Sequence, residues 1–483
     1  MKFSIKKIKN NSVVVYLATR YLTYFAQFVI SIFIAVKLGP YYFGLWGFLL
    51  LLLSYFQITN FGISNAINIL LVQHKKDEFK IRDLISNAFA LISCLCFIVL
   101  LLALYYYYYG IYFFEKYEVG NLFYPICLIA MFVYVNMLLM TIYRVRNKLF
   151  EIAFYQSIIP FLVLIALITV DDKNLIVILL GIYLLGHTLS FLMFIFRKVL
   201  PVKGNVNLKD SKIIINKGFF LFVYNICFYL LIISVRTIVS IYYPVKEFGY
   251  FTFSYTLANS ILLLLEAMTF VVFPKLIDKL NSDDPDVVEK NIEKIRTNYV
   301  YLSHGLIYIA LVFFPIFVQL LPKYVDTLPA LNLIALTIVL YTNAFGYNSY
   351  LMARNKEKII ALVSFVALFI NVLLALILVV VFQIVYSHVI IATMFAYLFC
   401  ILLFVYFGKK NLGRKISFLS IFQEAFPIKL LIPYLVAVVI SLMEIRLAVF
   451  VPLILFIILN VSVIKKILNT IKNVIYKPEV INI

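Results

Sequence analysis

The sequence predicts an all-α polytopic membrane protein. It should have about fourteen transmembrane helices: two six-helix lobes, related as parallel repeats around a central cavity, plus two further helices at the C-terminus. Three observations predict this. Of the 483 residues, 65% are hydrophobic and mean hydropathy is +1.04, far outside the range of soluble globular chains. Lys and Arg are concentrated in alternate connections between apolar runs. A distinctive turn also recurs about halfway along the chain.

The apolar runs follow one another with short breaks. They fall at about 13–36, 41–70, 84–109, 121–143, 152–170, 174–196, 213–241, 248–273, 298–321, 328–351, 359–381, 388–407, 430–443 and 447–464. The first is too long for a signal-peptide core and lacks a small-residue cleavage site, so it is expected to remain as a span. The connection Arg197–Lys212 reads as a hinge between two halves, with Pro201 and Gly204. Pro274–Asn298 reads as a solvated surface helix capped near Ser282. Tyr105–Tyr109 ends the third span as an interfacial aromatic belt. The expected domains are residues 1–200 and 201–408 for the two lobes, and 409–483 for the extra helices and tail.

The formal net charge is +20. With the N-terminus placed in the cytoplasm, 34 Lys and Arg fall in inner segments and six in outer ones. Positive-inside topology accounts for this excess without a nucleic-acid partner, and it puts both termini in the cytoplasm. The five cysteines all lie within apolar runs and suggest neither a disulfide frame nor a metal site. No cofactor motif is present, and no G-x-x-x-x-G-K-[ST] loop for ATP.

The spans carry polar stripes at helical spacing. In the first span Tyr16, Arg20, Tyr24, Gln27 and Ser31 share a face. The second offers Gln57, Asn60, Ser64 and Asn68, the seventh Asn225, Tyr229, Arg236 and Ser240, and the eighth Thr252, Tyr255, Asn259 and Glu266. Charges inside a membrane usually face a bundle interior or a wet cavity, and only Arg20, Arg236 and Glu266 lie well inside the spans. Two cations against one acid suit an anionic ligand, which an arginine could hold bidentately. The plainer reading is an Arg20 satisfied by carbonyls and Tyr24, holding helices together. Arg20 and Glu266 have similar depth near the cytoplasmic side, so a cross-lobe Arg20–Glu266 pair could close an inner gate. Alternatively Glu266 is protonated or hydrogen-bonded within its own lobe. His187 reads as a helix-to-helix hydrogen bonder.

The turn Leu38-Gly-Pro-Tyr-Tyr-Phe-Gly-Leu-Trp-Gly-Phe48 and the turn Tyr242-Tyr-Pro-Val-Lys-Glu-Phe-Gly-Tyr-Phe-Thr-Phe253 share Pro, then Phe-Gly, then an aromatic-rich start to the next helix. Phe43-Gly44 aligns with Phe248-Gly249 at an offset of 205 residues, so spans 1–6 map onto spans 7–12. With these turns and two extra C-terminal spans, the chain resembles the polysaccharide-transporter branch of the multidrug/oligosaccharidyl-lipid/polysaccharide (MOP) exporter superfamily, and within it the Wzx-type O-antigen or capsule repeat-unit flippases. The resemblance implies a non-enzymatic flippase of the bacterial inner membrane. Its substrate would be an undecaprenyl-pyrophosphate-linked oligosaccharide, moved from inner to outer leaflet by alternating access. It also implies a polysaccharide polymerase and a chain-length regulator as partners. Related lipid II flippases use cavity arginines to meet the pyrophosphate, and Arg20 stands in that kind of position. Many relatives carry an acid in span 7 where this chain has Arg236.

Two rival readings remain. A multidrug or organic-cation exporter of the same superfamily would want buried carboxylates, and only Glu266 is available. A membrane polymerase or glycosyltransferase would need a catalytic acid beside an outer loop, where Asp171, Asp172 and Asp326 have little chain around them.

Overall fold

The computed structural model describes residues 12–74, 77–146, 148–169, 174–197, 204–445 and 448–476. Every regular element among them is helical. The longer helices are α1 (Ser12–Ile58), α2 (Ile63–Gln73), α3 (Glu78–Tyr109), α4 (Phe123–Val145), α5 (Leu149–Thr169), α6 (Leu175–Phe196), α7 (Leu208–Tyr242), α8 (Val245–Leu280), α9 (Pro285–Gln319), α10 (Leu328–Tyr341), α11 (Glu357–Leu376), α12 (Ile391–Asn411), α13 (Phe418–Ala425), α14 (Ile428–Leu442) and α15 (Val451–Tyr476). Among the described residues ten helices are long and apolar enough to cross a membrane, or eleven if α13 and α14, bent by 68°, form one span. The 47-residue α1 is about 70 Å long and accounts for two of the expected crossings. It breaks at Gly39 (φ 68°, ψ 170°), a conformation open mainly to glycine, with Pro40 next to it. Helices thus stand at all fourteen expected places, and the chain is a multi-pass membrane protein.

Three expected details change. The second span is not continuous over 41–70: it stops at Ile58, and α2 begins at Ile63 after Phe61 (φ 51°) and Gly62 (φ 70°). Residues 285–298 are no separate surface helix, but the first turns of a 35-residue α9. Its cap is Asp284, whose carboxylate accepts from the Asp286 and Val287 amides, and Pro285 fills the position where an amide would be unpaired anyway. The segment after residue 203 is no free hinge. The Gly204 amide donates to Ser86 Oγ (2.9 Å), the Asn205 amide to Asp83 Oδ1 (2.7 Å) and the Asn207 amide to Asn87 Oδ1 (2.9 Å). Asn87 Nδ2 returns a bond to the Asn205 carbonyl (3.0 Å), and Lys80 Nζ meets Asp210 Oδ1 at 2.5 Å. Burial opposes charge on Asp210, but hydrogen bonds from Lys80 and Asn207 outweigh it and hold the carboxyl below its usual range. Pro201 lies outside the described residues.

The chain divides into two compact units. The first runs to Tyr229 and takes in Pro244–Gly249; the second comprises Leu230–Tyr243 and the chain from Tyr250 onward. Polar side chains within a bilayer need partners, and those in the first unit find them on neighbouring helices. Thr23 bonds Ser157 (2.9 Å), Asn136 Nδ2 donates to the His187 carbonyl (2.9 Å), and the Tyr143 hydroxyl donates to the Phe194 carbonyl (2.5 Å). Thus His187 accepts from α4 through its backbone, while its ring stands 6.0 Å from that of Tyr155. In the second unit Asn371 joins three helices: its Nδ2 donates to the Leu231 carbonyl (2.6 Å), and its Oδ1 accepts from Thr393 (3.0 Å).

The recurring turns meet within the first unit. A Cβ added to Gly44 would overlap the Val245 carbonyl oxygen and lie 3.2 Å from the Gly249 amide nitrogen. One added to Gly249 would overlap the Pro40 carbonyl oxygen and lie 3.1 Å from the Gly44 nitrogen. The two Phe-Gly pairs are thus each other's contact surface, backbone against backbone. A second reciprocal approach joins Gly62 and Gly218: an added Cβ would lie 2.8 Å and 3.0 Å, respectively, from the other's carbonyl oxygen.

Candidate substrate site

In the first stripe the Ser31 hydroxyl turns back to the Gln27 carbonyl at 2.8 Å, the usual way such a group is satisfied in an apolar span. Beside the stripe, Thr23 does the same to the Thr19 carbonyl at 2.8 Å. Tyr24 is buried, and the Arg20 guanidinium lies over its ring at 4.5 Å from the centroid. This is the i, i+4 cation–π contact that the spacing allows. The guanidinium remains partly exposed, and among the described residues it makes no ion pair and no hydrogen bond. Its planar fork of donors is therefore available to a ligand, while the ring fixes its orientation. Gln27 is half-buried on the same face.

Asn60 sits in the break between α1 and α2 rather than on a continuous stripe. It is buried, and its Nδ2 donates to Ser64 Oγ at 3.2 Å. Asn68 is half-buried, Asn225 exposed and Tyr229 44% exposed. Arg236 repeats the arginine-on-tyrosine arrangement inside the second unit, 5.2 Å from the Tyr255 centroid. Asn259 is half-buried. Glu266 lies in α8, but its side chain is outside the described residues, and so is the expected Arg20–Glu266 gate.

The 205-residue offset places Asn225 and Tyr229 opposite Arg20 and Tyr24 in the repeat. The tyrosine is retained, while the arginine of this face moves along the helix, to Arg236 at the position aligned with Ser31. Arg296 precedes the apolar run at 298–321 and by position counts among the 34 inner-segment cations. In the structure it is 6% exposed, donating through its two terminal nitrogens to the Asn343 and Glu424 carbonyls, both at 2.6 Å. His304 belongs to the same cluster: Nε2 is 3.0 Å from Asn343 Oδ1 and Nδ1 is 3.1 Å from the Tyr308 hydroxyl. The buried i, i+4, i+7 face of Val288, Ile292 and Ile295 on α9 was the available signal for it.

The polysaccharide biosynthesis protein family model matches residues 10–278, more than half of the chain. No curated protein matches the sequence. Among solved structures, the lipid II flippase MurJ in an inward closed conformation superposes with a TM-score of 0.64 at 15% identity, covering 97% of this chain and 100% of that one. An inward-facing multidrug resistance MATE family transporter of the MOP superfamily superposes with a TM-score of 0.60 at 12% identity, covering 83% of this chain and 98% of that one. These likenesses establish the fold as that of MOP-superfamily transporters. The chain belongs to the polysaccharide biosynthesis protein family.

Proposed function

We propose that the protein is a flippase that carries an undecaprenyl-pyrophosphate-linked oligosaccharide repeat unit from the inner to the outer leaflet by alternating access. The observation that carries this reading is Arg20, a guanidinium inside a span, braced on Tyr24 and without an acid partner among the described residues. A pyrophosphate satisfies it with charge-assisted bidentate bonds. An organic cation would be repelled by it, which disfavours the exporter reading. Family membership supports a role in polysaccharide assembly, and the MurJ-like fold supports a lipid-linked glycan as cargo.

In this reading Tyr24, Gln27, Asn60, Asn68, Asn225, Tyr229, Arg236 and Asn259 contribute polar contacts along the substrate path. Residues 1–200 and 201–408 act as the two working lobes, with 409–483 as an accessory pair of helices and tail. The protein sits in the bacterial inner membrane with both termini cytoplasmic, uses no cofactor, and delivers its glycan to a polysaccharide polymerase and a chain-length regulator.

The test is the amount of lipid-linked glycan in the cytoplasmic leaflet after gene removal. The intermediate should accumulate, and the wild-type gene should clear it. Arg20→Ala should slow clearance about 30- to 150-fold at equal membrane abundance, the size expected from losing about 2–3 kcal/mol of charged hydrogen bonding. Arg20→Lys should recover part of the rate. Normal crossing of the glycan without the protein would overturn the reading.

A further inference from the structure

A cavity of about 510 Å³ opens in the first unit, apart from Arg20. Its volume lies in the range of small-molecule sites. Three segments meet around it: the stretch of α1 about its break, with Lys37, Tyr42, Leu45 and Leu49; the connection between α3 and α4, with Glu118; and the start of α6, with Asn174. The charge pattern assigns all three to the outer side. The leucines make the floor apolar, while the mouth holds a cation, a carboxylate, a phenol and an amide.

The carboxylate is deliberately placed. Glu118 has φ 48°, in the left-handed region that non-glycine residues avoid at a cost of about 1–2 kcal/mol. The loop holds it there. The Glu118 amide donates to the Glu115 carbonyl (3.0 Å), the Val119 amide donates to the Phe114 carbonyl (3.2 Å), and the neighbouring Tyr117 is buried against Phe48 with ring centroids 4.0 Å apart. The Tyr41 hydroxyl donates to Glu118 Oε1 at 2.7 Å and orients the group. Oε2 is left for a ligand. Asn174 makes no capping bond to α6, so its amide is uncommitted at that helix end. Tyr42 is 53% exposed and meets Tyr41 edge to face, 5.4 Å between centroids.

We propose that this cavity is an outer-side saccharide subsite. A pyranose has a polar rim of vicinal hydroxyls and an apolar C–H face. Glu118 accepts from the hydroxyls, Asn174 and Lys37 complete the polar rim, and Tyr42 with the leucine floor receives the C–H face. A hydrocarbon chain would fill the floor but offer no donor to the exposed Glu118 carboxylate. That the sugar is the head of the transported glycan rests on the flippase reading; that the cavity binds a saccharide does not.

The chain offers its own reporter. Trp46 is the only tryptophan, 3% exposed, and lies in α1 between Leu45 and Leu49. The experiment follows Trp46 emission of the full-length protein in detergent. The probe is repeat-unit oligosaccharide released from the producing cell's surface polysaccharide, free of lipid and pyrophosphate. A saturable change is expected. Glu118→Gln should weaken apparent affinity about tenfold, Tyr41→Phe about threefold, and Arg20→Ala should leave it unchanged. If Glu118→Gln fails to fold, which Trp46 emission without ligand reveals, Tyr41→Phe decides. No saturable change overturns the proposal. So does an equal loss in Arg20→Ala, which would put the sugar at the other site, or displacement of the sugar by geraniol, which would make the cavity a lipid pocket. Binding that depends on Glu118 in a protein whose removal leaves glycan crossing intact would uphold the subsite and end the flippase reading.

Discussion

Gly249→Ala should lower stability by about 3 kcal/mol, an unusually large effect for one added methyl group. The methyl would overlap the Pro40 carbonyl oxygen and lie 3.0 Å from the Pro40 carbonyl carbon. Both atoms are backbone, and the break at Gly39 fixes their direction, so no side-chain rotation can relieve the clash. The helices must part, and parting exposes the backbone approach that the two turns share. Gly44→Ala should behave alike, because its methyl overlaps the Val245 carbonyl oxygen. The double substitution should cost less than the sum, since one separation relieves both clashes. Gly181→Ala on α6 is the control: an added Cβ there meets nothing within 4 Å, and stability should hold. Thermal unfolding followed through Trp46, two residues from Gly44, measures all four. An unchanged midpoint for Gly249→Ala would mean that the turns do not touch.

Arg296→Met should be more damaging still, by about 3–5 kcal/mol. Helix α13 has eight residues and ends at a 68° bend, so its last carbonyls have no partners of their own. Arg296 takes the Glu424 carbonyl, and Asn343 Nδ2 takes the Ala425 carbonyl at 3.1 Å. A cation at the C-terminal end of a helix also meets the negative end of its dipole. Glu424 lies 3.8 Å from Arg296 Nε and 3.7 Å from Lys409 Nζ, so its carboxylate would lose one of two cations. The Tyr347 ring, 5.3 Å beneath the guanidinium, would lose its cation–π partner. Arg296→Lys keeps the charge but cannot span two carbonyls, and should fall about halfway between. Protease cleavage between α12 and α14, together with the thermal midpoint, reads the outcome. If Arg296→Met remains as resistant as wild type, α13 is held by its apolar face instead.

The sequence was most informative where the bilayer constrains the chain most. Span length, lipid-facing composition and the sidedness of Lys and Arg respond to a single solvent slab, so helices stand where apolar runs were read. The break at Thr59–Gly62 escaped because those residues lie inside an apolar stretch already longer than a crossing. The extent of α9 escaped because polar first turns resemble a surface helix unless Val288, Ile292 and Ile295 are taken together. At the site, the Arg20–Tyr24 contact was legible because both partners lie on one helix, four residues apart. Arg296 was not, since a charge outside a span is counted as solvated until a fold closes over it. Glu118 was invisible for a related reason: its partner Tyr41 stands 77 residues away, and no spacing rule reaches that far.

The strap formed by residues 204–211 has a further consequence. Its position against α3 is set by backbone amides that donate to side-chain oxygens of Asp83, Ser86 and Asn87, by the Lys80–Asp210 pair, and by Gly204, whose missing side chain lets the strap lie against the Arg82 backbone. Register stored in this way does not depend on the peptide link that precedes it. A gene cut between the codons for residues 197 and 204 should therefore yield two fragments that find each other in the membrane, recovered as one complex when only one of them carries a tag. In engineering terms, the middle of this chain is a plug and socket rather than a tether.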